Sequence, residues 1–304
     1  MKGAAMDFTV KSDGDGVLLR SYLKKLRISG KLVSHLKEVP DGICVNGERV
    51  TVRRLLSAGD VISLAVEDTE SNESILPVKL PVDVLYEDSD LIICSKPPFM
   101  PTHPSCNHHD DTLANALAYY FAQSGHNFVF RPVNRLDRNT SGVVMVAKNA
   151  RAAAVMHTEM TKNRIQKTYF ALVEGKLTGE GRIETYLCRT EKSIIVRRVC
   201  NENDEGAQYA LTEYRCLACA DGLTALSLRL HTGRTHQIRV HMAHIGHPLL
   251  GDDLYGKESP YISRQALHAH TLTFRRPSDE KEITVTAPLP RDILKAAEIC
   301  NYTE

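Results

Sequence analysis

No run of about eighteen uninterrupted apolar residues occurs in this chain, which leaves no candidate membrane-spanning helix. The opening Met1-Lys2-Gly3-Ala4-Ala5-Met6-Asp7 lacks the apolar core of a secretory signal. Internal repeats and low-complexity stretches are also missing, so a solenoid or a disordered tail is not expected. The 8 cysteines have no framework of paired spacings, which argues for reduced thiols and a cytoplasmic address rather than disulfides. Cys216-Leu217-Ala218-Cys219 is the only CxxC, and without a second one it reads as incidental packing in a strand-like stretch. A large net charge is lacking too: at +1, any affinity for a polyanion must come from a local patch. Hydrophobic content of 42% and charged content of 25% are ordinary for a globular protein. A length of 304 residues suits one large domain plus a small one.

Charge is segregated along the chain. From residue 20 to 54 there are nine basic residues (Arg20, Lys24, Lys25, Arg27, Lys31, Lys37, Arg49, Arg53, Arg54) against three acids. From residue 67 to 90 the balance reverses, with eight acids against Lys79 alone. The segment 67–74 within it is polar, has no apolar periodicity and reads as a linker, so residues 1–75 are expected to form a separate module. In that module Leu18, Leu19, Tyr22, Leu23 and Leu26 recur at helical spacing, and a second helix is expected over 31–37 after Ser29-Gly30. Residues 43–50 read as a hairpin around Asn46-Gly47, and 61–64 as a closing strand after Gly59-Asp60. This arrangement resembles the αL RNA-binding module of a small-subunit ribosomal protein and of many RNA-modifying enzymes. The resemblance, with the one-sided basic cluster, implies that Lys24, Lys25, Arg27, Lys31, Arg53 and Arg54 meet RNA phosphates.

Residues 76–304 read as one larger domain. Strands are expected at 82–88 and 91–96, the latter ending in Lys96-Pro97-Pro98. A helix follows with Asp110 or Asp111 as N-cap and Leu113, Ala116, Leu117, Tyr120 and Phe121 as its apolar face. A second helix is capped by Asn149 and runs to about residue 162. Later segments are mostly strands between Gly- and Asp-rich turns. Strands dominate and helices interrupt them irregularly, which indicates an α+β fold rather than a doubly wound sheet.

Four segments concentrate chemistry. In Arg135-Leu136-Asp137-Arg138-Asn139-Thr140-Ser141-Gly142 a carboxylate stands between two arginines, just ahead of the apolar run 143–147. A catalytic carboxylate is often placed this way, on a loop held rigid by the element behind it. Residues 167–175 form a strand with Tyr169 and Ala171 on one face. Residues 230–241 bring Arg234, Arg239, His231, His236 and His241 together without an acid, and 247–256 include Gly251-Asp252-Asp253-Leu254-Tyr255-Gly256. The spacings of His231, His236, His241, His244 and His247 match no single-face zinc pattern and lack the Glu of an HExxH site, so no metal is expected.

These segments, in this order, resemble the RluA-type pseudouridine synthase family: its HRLDxxTSG, TGRTHQIRVH and GDxxYG signatures, and its opening VLYEDxxLxxxxKP at 82–97. The resemblance spans about residues 82–290. It implies a mixed, largely antiparallel catalytic sheet and an isomerase that converts uridine to pseudouridine without a cofactor. Asp137 would act at the ribose, as nucleophile or as base. Arg239 would pair with it, and Tyr169 would stack on the uracil and accept a proton in the last step. A target uridine in folded RNA must be flipped out, with Arg135 filling the gap, and Arg234 and His236 would face the RNA. One position departs from the signature: Asn134 stands where the family has histidine.

The partner implied is a structured rRNA or tRNA, met by a monomer. The rival from another class is a non-catalytic RNA-binding protein that keeps the fold. Target choice is expected to lie in the first module, in the 98–110 loop and in 182–210, where Arg182, Arg189, Lys192, Arg197 and Arg198 could form a second phosphate-contacting surface.

Overall fold

A computed structural model describes residues 6–66, 72, 74–190 and 193–303, so most of the expected linker and Lys192 lie outside the described residues. The first sheet has four antiparallel strands in the order β1-β4-β2-β3: β1 is Met6–Thr9, β2 Ile43–Val45, β3 Glu48–Arg49 and β4 Val61–Leu64. Asn46 and Gly47 close the β2–β3 hairpin with positive φ (51° and 82°), the backbone that this two-residue turn requires. Helices α1 (Leu19–Lys25) and α2 (Gly30–Glu38) cover the sheet. The Ser29 side chain caps α2 by accepting from Leu32 N, and Leu32 and Leu36 are its buried positions. Leu19, Tyr22, Leu23, Leu36, Ile43, Ile62 and Leu64 form a core of the module's own.

The second sheet has eleven strands. Its main path runs β11-β10-β12-β13-β9-β14-β8-β6-β5, with β15 paired to β14 and β7 to β8. In chain order these are β5 Asp83–Glu87, β6 Leu91–Lys96, β7 Arg131–Pro132, β8 Ser141–Ala147, β9 Gln166–Glu174, β10 Glu180–Thr190, β11 Ser193–Cys200, β12 Gln208–Ala220, β13 Leu223–Leu230, β14 Leu267–Arg275 and β15 Glu282–Thr286. All the pairings are antiparallel except β8 with β14. The fold is thus α+β with a mixed, mostly antiparallel sheet.

Strand β8 is buried along its whole length because both faces are covered. Val144 and Val146 join a core beneath helix α3 (Leu113–Gln123), while Val143, Met145 and Ala147 join one beneath helix α4 (Ala150–Thr161). The same two-sided burial explains the unbroken apolar run of β6. Helix α3 corrects one expectation: Thr112, not Asp110 or Asp111, is its N-cap. Thr112 and Asn115 form a reciprocal capping box, and both are fully buried. A carboxylate there would be desolvated without a counter-charge, whereas the neutral hydroxyl is satisfied locally. Asn149 caps α4 as expected, accepting from Ala152 N. No helix among the described residues is long and apolar enough to cross a membrane.

The two cores meet at α4. Ala150 packs against the module's core, and the Arg151 guanidinium lies over the Phe8 ring at 5.3 Å. Arg27 donates to buried Glu159 at 2.6 Å and also lies 3.6 Å from Glu280. Its charge is therefore committed to joining the two parts, and it is withdrawn as a phosphate contact. Moving the guanidinium to RNA would leave buried Glu159 with only the longer 3.6 Å contact to Arg164, a costly state.

Two histidines from the sequence series and its C-terminal flank are structural. His241 bridges Thr185 of β10 and Thr212 of β12 (3.0 and 2.9 Å), and His268 lies between Ser141 Oγ and Ala287 O (2.9 and 3.2 Å). Burial pushes both imidazoles down to about 4 from 6.5. Between those values the unfolded chain binds more protons than the fold. Stability is therefore fully present above pH 6.5 and falls as pH drops toward 4, by up to about 3 kcal/mol per histidine. Denaturant titrations at pH 7.5, 5.5 and 4.5 should show this loss. A stability that stays flat across the window would contradict the neutral, buried assignment.

Candidate active site

Asp137 sits on the loop that enters β8, and nearly every neighbour is clamped from behind. Thr102 exchanges hydrogen bonds with Leu136 N and O at 3.2 and 3.0 Å. Lys96, buried at the end of β6, donates to three carbonyls: Pro97 (2.9 Å), Met100 (2.7 Å) and Arg138 (3.1 Å). Burial, and next the charge of Arg264, push Lys96 down to about 7, while Asp137 pulls the other way. Its three carbonyl acceptors favour the charged form and tie the Asp137 loop to the 97–100 turn. Arg264 is fully buried, forks onto Asp292 (2.7 and 3.0 Å) and donates to Asn139 O at 3.0 Å. Gln265 reaches Thr140 Oγ1 at 3.2 Å. These residues hold the loop, yet the Asp137 side chain keeps 30% of its surface exposed. A positioned but accessible carboxylate results.

The central strands set what lies opposite. Ala269 of β14 pairs in parallel with Gly142 of β8 and antiparallel with Tyr169 of β9. Gly142 and Tyr169 therefore stand two strands apart, about 10 Å in backbone terms. Gly142 has φ +113°, and a Cβ there would come within 2.1 Å of Ala269 O. Gly142→Ala should destabilise the protein by about 3–5 kcal/mol, since it adds backbone strain to an overlap that only strand separation relieves. Chemical denaturation would read this directly, and a loss under about 1 kcal/mol would show that the parallel pairing is not needed. Tyr169 is buried against the core and lines the cleft. Burial first, then the Asp137 charge, hold its phenol well above the ordinary value.

The third wall is helix α5 (Gln237–His244), which His241 pins to the sheet. It starts from His236 in the left-handed conformation, φ 58°. Arg239 projects from its first turn and forms a two-pronged pair with fully buried Asp252, Nε to Oδ2 at 2.8 Å and Nη2 to Oδ1 at 2.6 Å. Its remaining nitrogen, Nη1, lies 3.9 Å from Asp137 Oδ2, and its charge rests over the Tyr255 ring at 5.2 Å. Burial alone would lower the Arg239 pKa, but the hydrogen bonds and charge of Asp252 outweigh it and hold it above its ordinary value. His236 Nε2 is 3.7 Å from Asp137 Oδ2, and its Nδ1 is bonded to Tyr255 Oη at 2.9 Å. Burial keeps this imidazole below its usual pKa against the pull of Asp137.

Asp137, Tyr169, Arg239, His236, Arg135 and Arg234 thus line one cleft of about 360 Å³. Arg135 Nη2 approaches Thr235 Oγ1 at 3.4 Å, and Arg234 Nε donates to Tyr209 O at 2.9 Å. Arg135 and Arg234 also line an adjoining groove with Arg189, Arg197 and Arg198. Lys24, Lys25, Lys31, Arg53 and Arg54 are exposed on the first module, away from this cleft, with Lys25 paired to Asp13 at 2.6 Å. Asn134 is explained: its Nδ2 donates to Val143 O at 3.1 Å and its Oδ1 accepts from Met145 N at 2.8 Å. It binds the backbone of β8 through both ends of its amide.

Sequence reasoning missed Asp252 and Arg264 as parts of the site, and left Lys96 open between a site role and the cap of a strand end. Asp252 stood inside the GDxxYG signature, and Lys96 at the end of an apolar strand was a readable anomaly. Arg264 carried no local signal.

The chain is similar to known proteins. The family described as RNA pseudouridylate synthase matches residues 90–244. An RNA pseudouridine synthase of Bacillus subtilis (strain 168) is 35% identical over 91% of this chain and 97% of its own length. The ribosomal large subunit pseudouridine synthase D of Haemophilus ducreyi is 35% identical over 85% of this chain and 81% of its own. Among solved structures, human RNA pseudouridylate synthase domain containing 1 has a TM-score of 0.58 at 28% identity, covering 69% of this chain and 84% of that one. A carboxylate on a loop clamped by buried side chains, faced by a guanidinium and sharing its cleft with a tyrosine, thus lies within the span that these relatives share, and the chain belongs to the RNA pseudouridine synthase family of RluA type, enzymes that isomerise uridine to pseudouridine.

Proposed function

We propose that Asp137 is the residue that acts on the ribose of a flipped-out uridine in structured RNA, with ribosomal RNA the favoured substrate. One observation carries this reading: Nη1 of Arg239 is the part of that guanidinium not bound to Asp252, and Asp137 is the carboxylate it meets. The isomerisation is balanced within the substrate. The bond from carbon 1′ to nitrogen 1 breaks, the detached uracil turns, carbon 5 bonds to carbon 1′, and the proton of carbon 5 passes to nitrogen 1 by way of the site. Asp137 stabilises the anomeric carbon as nucleophile or as base at the sugar. Arg239, fixed by Asp252, keeps the carboxylate ionised and aimed. The Tyr169 ring supports the uracil. Its raised pKa keeps the phenol protonated at rest, so it can take the carbon 5 proton only by passing on its own. Arg135, an exposed residue of the cleft lining, enters the stack behind the flipped base.

Residues 1–75 serve as an RNA-binding module and residues 76–304 as the catalytic domain. Two separate sheets, each with its own core, support that division. Lys24, Lys25, Lys31, Arg53 and Arg54 meet phosphates, while Arg234 and His236 face the RNA nearer the reacting base. The protein is taken to act as a monomer, and RNA as substrate suits the cytoplasm. Replacing the five module cations by alanine should weaken RNA binding. It should also lower the slope of log K against log salt by about 0.7–0.9 for each phosphate that is no longer neutralised. An unchanged slope would remove the module from the RNA interface.

Ribosomal RNA is favoured because the relatives named as synthase D act on the large ribosomal subunit by their names. Pseudouridine mapping by carbodiimide treatment and primer extension, in cells lacking the gene and in cells complemented with it, decides the matter. Sites lost and restored in rRNA are the expected result. Loss confined to tRNA would move the substrate, and no change at any uridine would sink the assignment.

A further inference from the structure

We propose that Cys188, Cys200 and Asp204 form a binding site for a zinc ion, outside the uridine cleft, on the wall of the adjoining basic groove. One sulfur from each cysteine and one carboxylate oxygen lie within 4.8 Å of one another, and no other three His, Cys, Asp or Glu donors converge this way among the described residues. Zinc–sulfur bonds of about 2.3 Å in a tetrahedral site place two sulfurs about 3.8 Å apart. The donors therefore need only small side-chain adjustments. Two thiolates select zinc over magnesium or calcium, which prefer oxygen ligands.

Strand register explains the convergence. In the β10–β11 pair Tyr186 faces Cys200 and Cys188 faces Arg198, so the cysteines are diagonal neighbours on one face of the sheet. Diagonal neighbours lie about 7–8 Å apart, beyond the roughly 6.8 Å limit for an unstrained disulfide. A shared metal suits that separation better than a sulfur–sulfur bond. Asp204 arrives from the turn after β11. Its bonds from Arg198 Nη1 (3.4 Å) and Asn201 N (3.3 Å) both fall on Oδ2, which leaves Oδ1 for a metal. Cys188 and Asp204 line the groove, so the fourth position is open to water there.

Binding forms two zinc–sulfur bonds and one zinc–oxygen bond and releases the two thiol protons to solvent, with no change of oxidation state. The ion would tie the end of β11 and the following turn to β10. That hairpin carries Arg189, Arg197 and Arg198 of the groove. Zinc would thereby hold the groove's cations in one arrangement.

Co²⁺ titration of chelator-stripped, fully reduced, full-length protein is the test. The expected result is one equivalent bound, with a thiolate-to-metal charge-transfer band that added Zn²⁺ bleaches. Cys188→Ser and Cys200→Ser should each abolish the band. Asp204→Asn, which alters an exposed turn and spares both thiols, should keep the band but weaken binding about 10-fold or more. The proposal is overturned if no stoichiometric band appears, or if the band survives both cysteine variants and so belongs to Cys216, Cys219 or exposed Cys106. It is also overturned if Asp204→Asn binds as tightly as the wild type, or if the chain loses two hydrogens on mild oxidation through a Cys188–Cys200 bond while binding no metal.

Discussion

Asp137→Asn should lower turnover by about four orders of magnitude or more while leaving RNA affinity within a few-fold, the pattern of a group that acts only once the substrate is bound. The substitution is nearly isosteric, and it removes a charge from a side chain that is 30% exposed, so the fold should tolerate it. Its loop is held by Lys96, Thr102, Arg264 and Gln265, none of which bonds the Asp137 carboxylate. Lost activity can therefore be assigned to chemistry rather than to a displaced loop. Release of tritium from carbon 5 of labelled uridine in a transcript that the enzyme modifies would measure it, with binding followed by filter retention. Turnover within about 10-fold of wild type would remove Asp137 from the reaction. His236, 3.7 Å away, would then become the group to examine.

The second large effect concerns Asp252, which touches no substrate in this assignment. It is fully buried, accepts both prongs of Arg239, and also accepts from Leu254 N and Tyr255 N at 3.0 and 3.1 Å. Removing one member of a buried ion pair leaves the other charge uncompensated, at a cost of about 3–5 kcal/mol. For a domain of this size, that loss corresponds to a fall in unfolding midpoint on the order of 10 °C. Asp252→Asn should show this loss in thermal unfolding. At temperatures well below the lowered midpoint it should also show turnover reduced about 100-fold, because Arg239 is no longer held toward Asp137. Asp253→Asn is the matched control. Asp253 lies 3.3 Å from the same guanidinium but is 61% exposed, so its removal should change stability by less than about 1 kcal/mol. Equal effects of the two substitutions would mean that burial, and with it the positioning role, does not distinguish them.

Much of the architecture could be read from local pattern. Helix α2 with its Ser29 cap, the Asn46-Gly47 hairpin and the Asn149-capped α4 followed from short-range rules, because a cap or a tight turn is satisfied within four residues. The miss at α3 has the same locality. Asp110, Asp111 and Thr112 are all competent caps by type, and only the burial of that corner selects the uncharged one. Arg27 shows the other kind of miss. In the sequence it is one more cation in a basic cluster, and its partner Glu159 lies 132 residues away.

The ordered motifs by themselves determined the family and the α+β fold and singled out the candidate site residues, since residue type and spacing carry chemistry and periodicity directly. What only the tertiary structure decided is how those residues meet. Arg239 is held by Asp252 with one nitrogen left toward Asp137, an arrangement its residue type and position in the chain do not give. Tyr169 and the Asp137 loop face one cleft because Ala269, a residue without chemistry of its own, is the common strand neighbour of Tyr169 and Gly142. Such pairings join positions far apart in the chain. They are set by sheet register and by buried polar groups that must find partners, and neither leaves a mark within any short stretch of chain.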